Sequence, residues 1–145
     1  YTNLLPGLVA RYDFDKRIVG RASITTTIAR PNPLDAAPSQ SIDSSSGDVT
    51  RGNPRLDPYR AINFDASIEY YPQALGVISL GVFHKKINDF IYSEVLPGGG
   101  LNGGSLITPL NGESASVTGV EADWQRQFTN LPPPFDGFGI FANVT

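Results

Sequence analysis

The 145-residue chain carries 14 acidic and 11 basic side chains, for a formal net charge of −3, so it offers no basic face to nucleic acid. Charged residues make up only 17% of the chain, below the roughly 25% of an ordinary soluble domain. The absence of cysteine excludes disulfides and thiolate metal sites. No run approaches the ~18 uninterrupted apolar residues of a transmembrane helix, and no signal-peptide pattern opens the chain.

Strand alternation organises the chain from its beginning. Leu8, Ala10, Tyr12 and Phe14 share one face, with Arg11, Asp13 and Asp15 on the other. After a tight turn at Asp15 to Arg17, a second strand runs from Ile18 to Ala29. It carries Ile18, Ala22, Ile24 and Ile28 on one face and Arg21, Ser23, Thr25 and Thr27 on the other. A long connection, Arg30 to Ala61, leads to the clearest strand. From Ile62 to Tyr70, Ile, Phe, Ala, Ile and Tyr alternate with Asn63, Asp65, Ser67 and Glu69. A short turn, Pro72 to Leu75, precedes a fourth strand from Gly76 to Ile91. Ile78, Leu80 and Val82 form its apolar face, while Val77 and Phe83 fall on the opposite phase.

A second long connection, Tyr92 to Ala115, is glycine-rich between Gly98 and Gly104 and predicts a flexible loop. The fifth strand, Ser116 to Phe128, sets Val120, Ala122, Trp124 and Phe128 against Gly119, Glu121, Asp123, Gln125 and Gln127. A third short turn, Asn130 to Gly137, leads to the last strand, Phe138 to Thr145. Asn53-Pro54 and Asp57-Pro58 restrict the backbone ahead of the third strand, which shapes the return of the first long connection.

Short and long connections alternate strictly, the arrangement of an up-and-down barrel with one trim rim and one looped rim. The polar phase carries ionised residues deep inside strands: Arg11, Arg21, Asp65, Glu69, Glu121 and Asp123. They suit a wet lumen. The aromatics sort by height, and eight of the fifteen lie at the short-turn rim. Tyr12, Phe14, Tyr70, Tyr71, Trp124, Phe128 and Phe138 form the expected girdle, joined by Phe135, because amphipathic rings favour the membrane–water boundary. The predicted fold class is therefore all-β, an antiparallel up-and-down transmembrane β-barrel segment of about six strands. A soluble β-sandwich module that binds carbohydrate or protein is the alternative, with Trp124, Tyr70 and Tyr71 as a stacking platform.

Candidate chemistry is sparse. Glu121 and Asp123 share a strand face, as i and i+2 must, and Asn88-Asp89 adds a further polar pair. No histidine joins them, since His84 is the only one, and nothing fixes a nucleophile. The expectation is no metal, no cofactor and no enzyme. Gly98 to Gly104 lacks the Lys-Ser/Thr of a phosphate loop. Arg51 and Arg55 can meet an anionic substrate or pair with Asp48 and Asp57 in the same connection. Asn102 is a further substrate-binding candidate among the long connections.

Several segments resemble the barrel of TonB-dependent outer-membrane receptors. They are Arg30-Pro31 at a strand end, Gly52-Asn53-Pro54-Arg55-Leu56-Asp57-Pro58, Glu69-Tyr70-Tyr71-Pro72, the run from Val82 to Ile91, Val117 to Glu121, and Phe141 to Thr145. His84 stands where the family pattern has tyrosine. Their order and spacing carry the resemblance over nearly the whole chain. It implies that residues 1–145 are part of a barrel of about 22 strands, with Tyr1 and Thr145 as cut ends and the plug domain, TonB box and C-terminal strand outside the chain. It also implies a place in the bacterial outer membrane, with lipid around the barrel. The function implied is TonB-coupled uptake of a scarce nutrient: siderophore-iron, cobalamin or oligosaccharide. The TonB complex would act through the missing plug.

Overall fold

The computed structural model describes residues 3–72, 75–135 and 137–145. It divides into two compact units. One comprises Tyr1–Thr26, Ile62–Lys85 and Ser116–Thr145, the other Thr27–Ala61 and Lys86–Ala115.

In chain order the elements are β1 (Gly7–Asp13), β2 (Ile18–Ala29), α1 (Pro33–Ala36), β3 (Gln40–Ile42), β4 (Val49–Arg51), β5 (Tyr59–Tyr70), β6 (Gly76–Asn88), β7 (Ile91–Leu96), β8 (Leu106–Asn111), β9 (Ser114–Gln127) and β10 (Gly139–Val144). The first unit is built on a six-stranded sheet in the order β1-β2-β5-β6-β9-β10. All six strands read from alternation are present, and β2 has the bounds predicted for it. Strands β1 and β2 run antiparallel from Gly7↔Thr25 to Asp13↔Val19, and β9 and β10 from Gly139↔Gln127 to Val144↔Ala122. The turn between β1 and β2 is closed by the Asp15 carboxylate, which accepts the N–H groups of Arg17 at 2.6 Å and Ile18 at 2.9 Å. The middle of the Pro72–Leu75 turn and Asp136 of the Asn130–Gly137 turn lie outside the described residues.

This sheet has almost no protein core. Val19 and Ala61, at 6% and 4% exposure, are its only buried apolar residues among those described. Leu8, Phe64, Ile68, Ile78, Leu80, Val82 and Val120 are all exposed. A soluble sandwich buries the inner face of each sheet, and the apolar phase here is uncovered. So large an apolar surface marks contact with another apolar medium or partner.

Phe83, which broke the alternation, has a local reason to do so. It lies on the polar phase opposite Gly119, and a Cβ at 119 would overlap the Phe83 ring. The missing side chain is the seat of the ring. Gly20 serves Phe14 in the same way, its built Cβ falling 2.9 Å from the ring.

The fourth strand is shorter than predicted. It ends at Asn88 because Asp89 adopts a left-handed backbone at φ 57°, a conformation Asp tolerates better than most residues. Ile91 then opens β7 in a different sheet. The second unit carries that sheet, in the order β3-β4-β8-β7. The hairpins β3–β4 and β7–β8 are antiparallel, and β4 joins β8 in parallel through Val49↔Leu106 and Thr50↔Ile107. The helix α1 is a single turn started by Asn32, whose side chain accepts the Leu34 N–H at 3.1 Å, with proline in the first turn. Within Gly98–Gly104, read as a flexible loop, two glycines make close backbone contacts. Gly100 and Gly104 press against the backbone of Gly47, and Gly104 is buried. Glycine there permits contact between chains of backbone.

The β3–β4 turn is held by Asp43, which accepts from the Ser45 hydroxyl at 2.6 Å and the Ser45 N–H at 2.8 Å. The hydroxyl bond first, then the backbone bond, holds the Asp43 carboxyl below its ordinary range. A carboxyl lowered on folding stabilises the turn above its unfolded pKa, and that support is lost as pH falls through the lower folded value.

Two outcomes are expected. Gly119→Ala forces the Phe83 ring aside and destabilises by about 1–3 kcal/mol. Adding Phe83→Ala removes the clash, so the pair is non-additive by about 0.5–3 kcal/mol in denaturant unfolding. For the turn, amide exchange at Ser45 and Gly47, corrected for intrinsic rate, stays slow at pH 5 and rises only below the ordinary aspartate range. Ser45→Ala moves that rise to higher pH.

Candidate functional site

The polar phase of the six-stranded sheet brings together charges from separate strands. Arg21 on β2 reaches Glu69 on β5, with Nε to Oε1 at 2.8 Å. The Tyr71 hydroxyl donates to the other Glu69 oxygen at 2.6 Å. Arg11 and Asp13 pair along β1 at 2.9 Å. Ser23 donates to Asp65 at 3.0 Å and Ser79 to Asp123 at 3.2 Å. Between these, a depression of about 150 Å³ opens over Gly81, rimmed by Arg21, Ser23, Asp65, Ser67 and Glu121. All six ionised residues read from the sequence thus lie in strands of this one sheet. Each contact is an exposed or part-buried polar bond, suited to a wetted wall.

Tyr71 was grouped with the rim aromatics by height alone. Its phase matches that of Glu69, and its hydroxyl completes the Arg21–Glu69 pair. The remaining aromatics stand at the short-turn end of the sheet. Tyr12 and Phe14 meet edge-to-face at 4.9 Å, Phe135 and Phe138 are tilted at 5.9 Å, and Arg126 lies 5.8 Å from the centre of the Phe128 ring. Trp124 is opposite Ala142 on β10, and both Trp124 and Tyr70 are exposed. His84 sits on the apolar phase near Phe64, where its Nδ1 lies 2.7 Å from the Thr118 hydroxyl. That bond satisfies one ring nitrogen of a polar side chain amid apolar neighbours.

The substrate candidates all fall in the second unit. Arg51 ends β4, opposite Gln40. Arg55 follows in a turn where its N–H donates to Asn53 Oδ1 at 3.0 Å. Asn102 occupies a left-handed turn position at φ 51°. The alternative pairing with Asp48 and Asp57 is not what the structure contains. Asp48 accepts the Ser105 N–H at 2.7 Å, and the Asp57 backbone is clasped by Asn111. Among the described residues, neither the Arg51 nor the Arg55 guanidinium has an ion-pair or hydrogen-bond partner. Both are exposed.

Sequence reading names Asn53 as shaping the first long connection and Asp48 as a possible arginine partner, but it misses Asn111 and the cross-connection partners through which all three order this unit. Asn53 sits next to proline, which marks a turn, but its partner, the Pro109 carbonyl 56 positions away, has no local signature. Among the described residues no group of three or more histidines and carboxylates converges on a metal-sized site.

Comparisons with known proteins agree with this geometry. The siderophore receptor PirA of Pseudomonas aeruginosa superposes with a TM-score of 0.73 at 22% identity, over 85% of this chain and 25% of that one. A mutant of the ferric enterobactin receptor PfeA from the same organism, in complex with enterobactin, gives 0.73 at 22% over 97% and 21%. The hemophore receptor HasR of Serratia marcescens, a double mutant in complex with its hemophore HasA and heme, gives 0.68 at 16% over 83% and 20%. The chain therefore spans about a quarter or less of the length of these receptors. No curated protein sequence matches it. The family model described as TonB dependent receptor-like, beta-barrel matches residues 1–145, and the chain belongs to that family of outer-membrane β-barrel proteins.

Proposed function

We propose that the chain is one stretch of the wall of an outer-membrane active transporter, a barrel of about 22 strands that takes up a scarce nutrient with TonB-coupled energy. The observation that carries this reading is the six-stranded sheet with one uncovered apolar face and one wetted, ion-paired face. In this reading the apolar phase meets lipid, and the rim aromatics form the girdle. Arg11, Arg21, Asp65, Glu69, Glu121 and Asp123 line the lumen. The plug, TonB box and C-terminal strand belong to parts of the receptor beyond these residues, and the TonB complex acts through the plug. No bond in the nutrient is made or broken. The barrel wall satisfies every backbone group in lipid, as a spanning sheet must.

The preferred nutrient class is a ferric siderophore, ahead of cobalamin and oligosaccharide. The unpaired Arg51 and Arg55 favour an anionic ligand, and two of the similar receptors are named for siderophore or ferric enterobactin recognition. Ferric enterobactin is therefore the first probe.

Two experiments on the whole receptor test this reading. Ile68→Arg places a cation on the lipid phase two residues inside the girdle residue Tyr70 and is expected to cost about 1–2 kcal/mol, between the ~2–4 kcal/mol of the bilayer midplane and the ~0–1 kcal/mol of the interface. Ser67→Arg, one residue away on the other phase, is expected to insert and fold normally. Equal loss of heat-resistant folded barrel in both variants refutes the lipid assignment. Arg51→Ala with Arg55→Ala is expected to weaken ferric enterobactin binding about tenfold or more, since a charged hydrogen bond contributes about 1.5–3 kcal/mol. Unchanged affinity removes these arginines from the site. Absence of uptake by the unmodified receptor removes this nutrient.

A further inference from the structure

The two long connections are separated by β5 and β6 in the chain, yet they share one sheet. Neither has the means to fold alone. The first holds β3 and β4, three residues each, and the second holds β7 and β8, six residues each. A lone two-stranded hairpin is marginal in water. What the connections lack separately they supply to each other along one seam.

The seam is dense in backbone bonds. Val49 N–H donates to the Ser105 carbonyl at 2.8 Å, and Leu101 N–H donates to the Gly47 carbonyl at 2.8 Å. Ser105 N–H returns a bond to the Asp48 carboxylate at 2.7 Å. The Asn53 amide donates to the Pro109 carbonyl at 3.0 Å. Asn111 accepts the Asp57 N–H and donates to the Asp57 carbonyl, both at 2.9 Å. Burial follows the same line: Gly47, Val49, Gly104 and Pro109 are buried, two from each connection. The approach of Gly47 to Leu101 and of Gly104 to Gly47 leaves no room for a side chain at either glycine.

The geometry points to the two connections forming a single folded body, in which each orders the other and both move together when ligand enters. The movement part rests on the transport reading above, whereas the mutual ordering does not. Cooperative units of this kind open as a whole, so loosening one side exposes the other.

The experiment has two arms, both on the whole receptor. In the first, Asp48→Ala, and separately Asn53→Ala, change the first connection only. Amide exchange at residues 100–106 in the second connection is expected to accelerate about tenfold. In the converse variant, Gly104→Val, exchange at residues 49–51 accelerates likewise. Acceleration confined to the mutated connection overturns mutual ordering, and because Asp48→Ala removes a single polar bond of the seam it remains informative if Gly104→Val does not fold. In the second arm, Thr50→Cys with Ile107→Cys joins Cα partners across the parallel pair, in a chain that has no other cysteine. Adjacent strands lie about 4.8 Å apart, within the reach of a disulfide. Uptake of ferric enterobactin by the oxidised receptor is expected to equal that of the reduced one. A block relieved by reductant means that the connections must separate, and it overturns common movement. If the unmodified receptor takes up no ferric enterobactin, the nutrient assignment fails, and the exchange arm still decides the shared body.

Discussion

Alternation of side chains across the six-stranded sheet imposes a condition that everything else in the chain meets. Successive residues of a strand point to opposite faces, so a sheet between two different media must alternate throughout. Slipping a strand by one residue would carry Asp65 and Glu69 to the apolar side and Phe64 and Ile68 to the wet side. The sheet is thus fixed in register by its surroundings more than by any interior, since Val19 and Ala61 are its only buried apolar residues among those described. Cross-strand polar contacts add to that register. Ser23–Asp65, Arg21–Glu69 and Ser79–Asp123 each join neighbouring strands on the same phase.

Departures from alternation have local compensation. Phe83 places a ring on the polar phase, and Gly119 provides the space beside it. His84 places a polar ring on the apolar phase, and Thr118 on the same neighbouring strand binds its nitrogen. Both exceptions on β6 are therefore answered from adjacent positions of β9. A strand that carries two misfits tolerates them because its neighbour is complementary at both, and substitutions on β9 should be felt through β6.

The legibility of the chain divides along the same physical line. The six strands of the larger sheet were readable because their pattern is local, with period two over 6 to 14 residues. Their ends were read less well. The end of β6 is set by the left-handed Asp89, which no periodicity announces. The four short strands β3, β4, β7 and β8 were not read at all. Three-residue strands hold too little sequence to show a period, and β4 is fixed by partners 57 positions away. For the candidate site, phase places all six ionised residues in strands of one sheet, but the contact of the Tyr71 hydroxyl with Glu69 was hidden by its position among rim aromatics. The competing pairing of Arg51 and Arg55 with Asp48 and Asp57 was decided by backbone groups, since Asp48 is engaged by the Ser105 N–H.

The glycines of the second connection are of two kinds that composition alone does not separate. Gly98 and Gly103 have positive φ and open space around them, as a turn residue chosen for backbone freedom would. Gly100 and Gly104 face the backbone of Gly47 at a distance that excludes a Cβ. These two kinds of glycine look alike in sequence and act in opposite directions. The first lets the chain reverse, and the second lets two segments of backbone lock together. A run that reads as a slack linker therefore supplies half of a seam, and the free guanidinium groups of Arg51 and Arg55 are carried on the other half. Any ligand held by those arginines would then report on the order of a segment it does not touch, because the Val49 N–H and the Asp48 carboxylate both bond to Ser105 and connect the two.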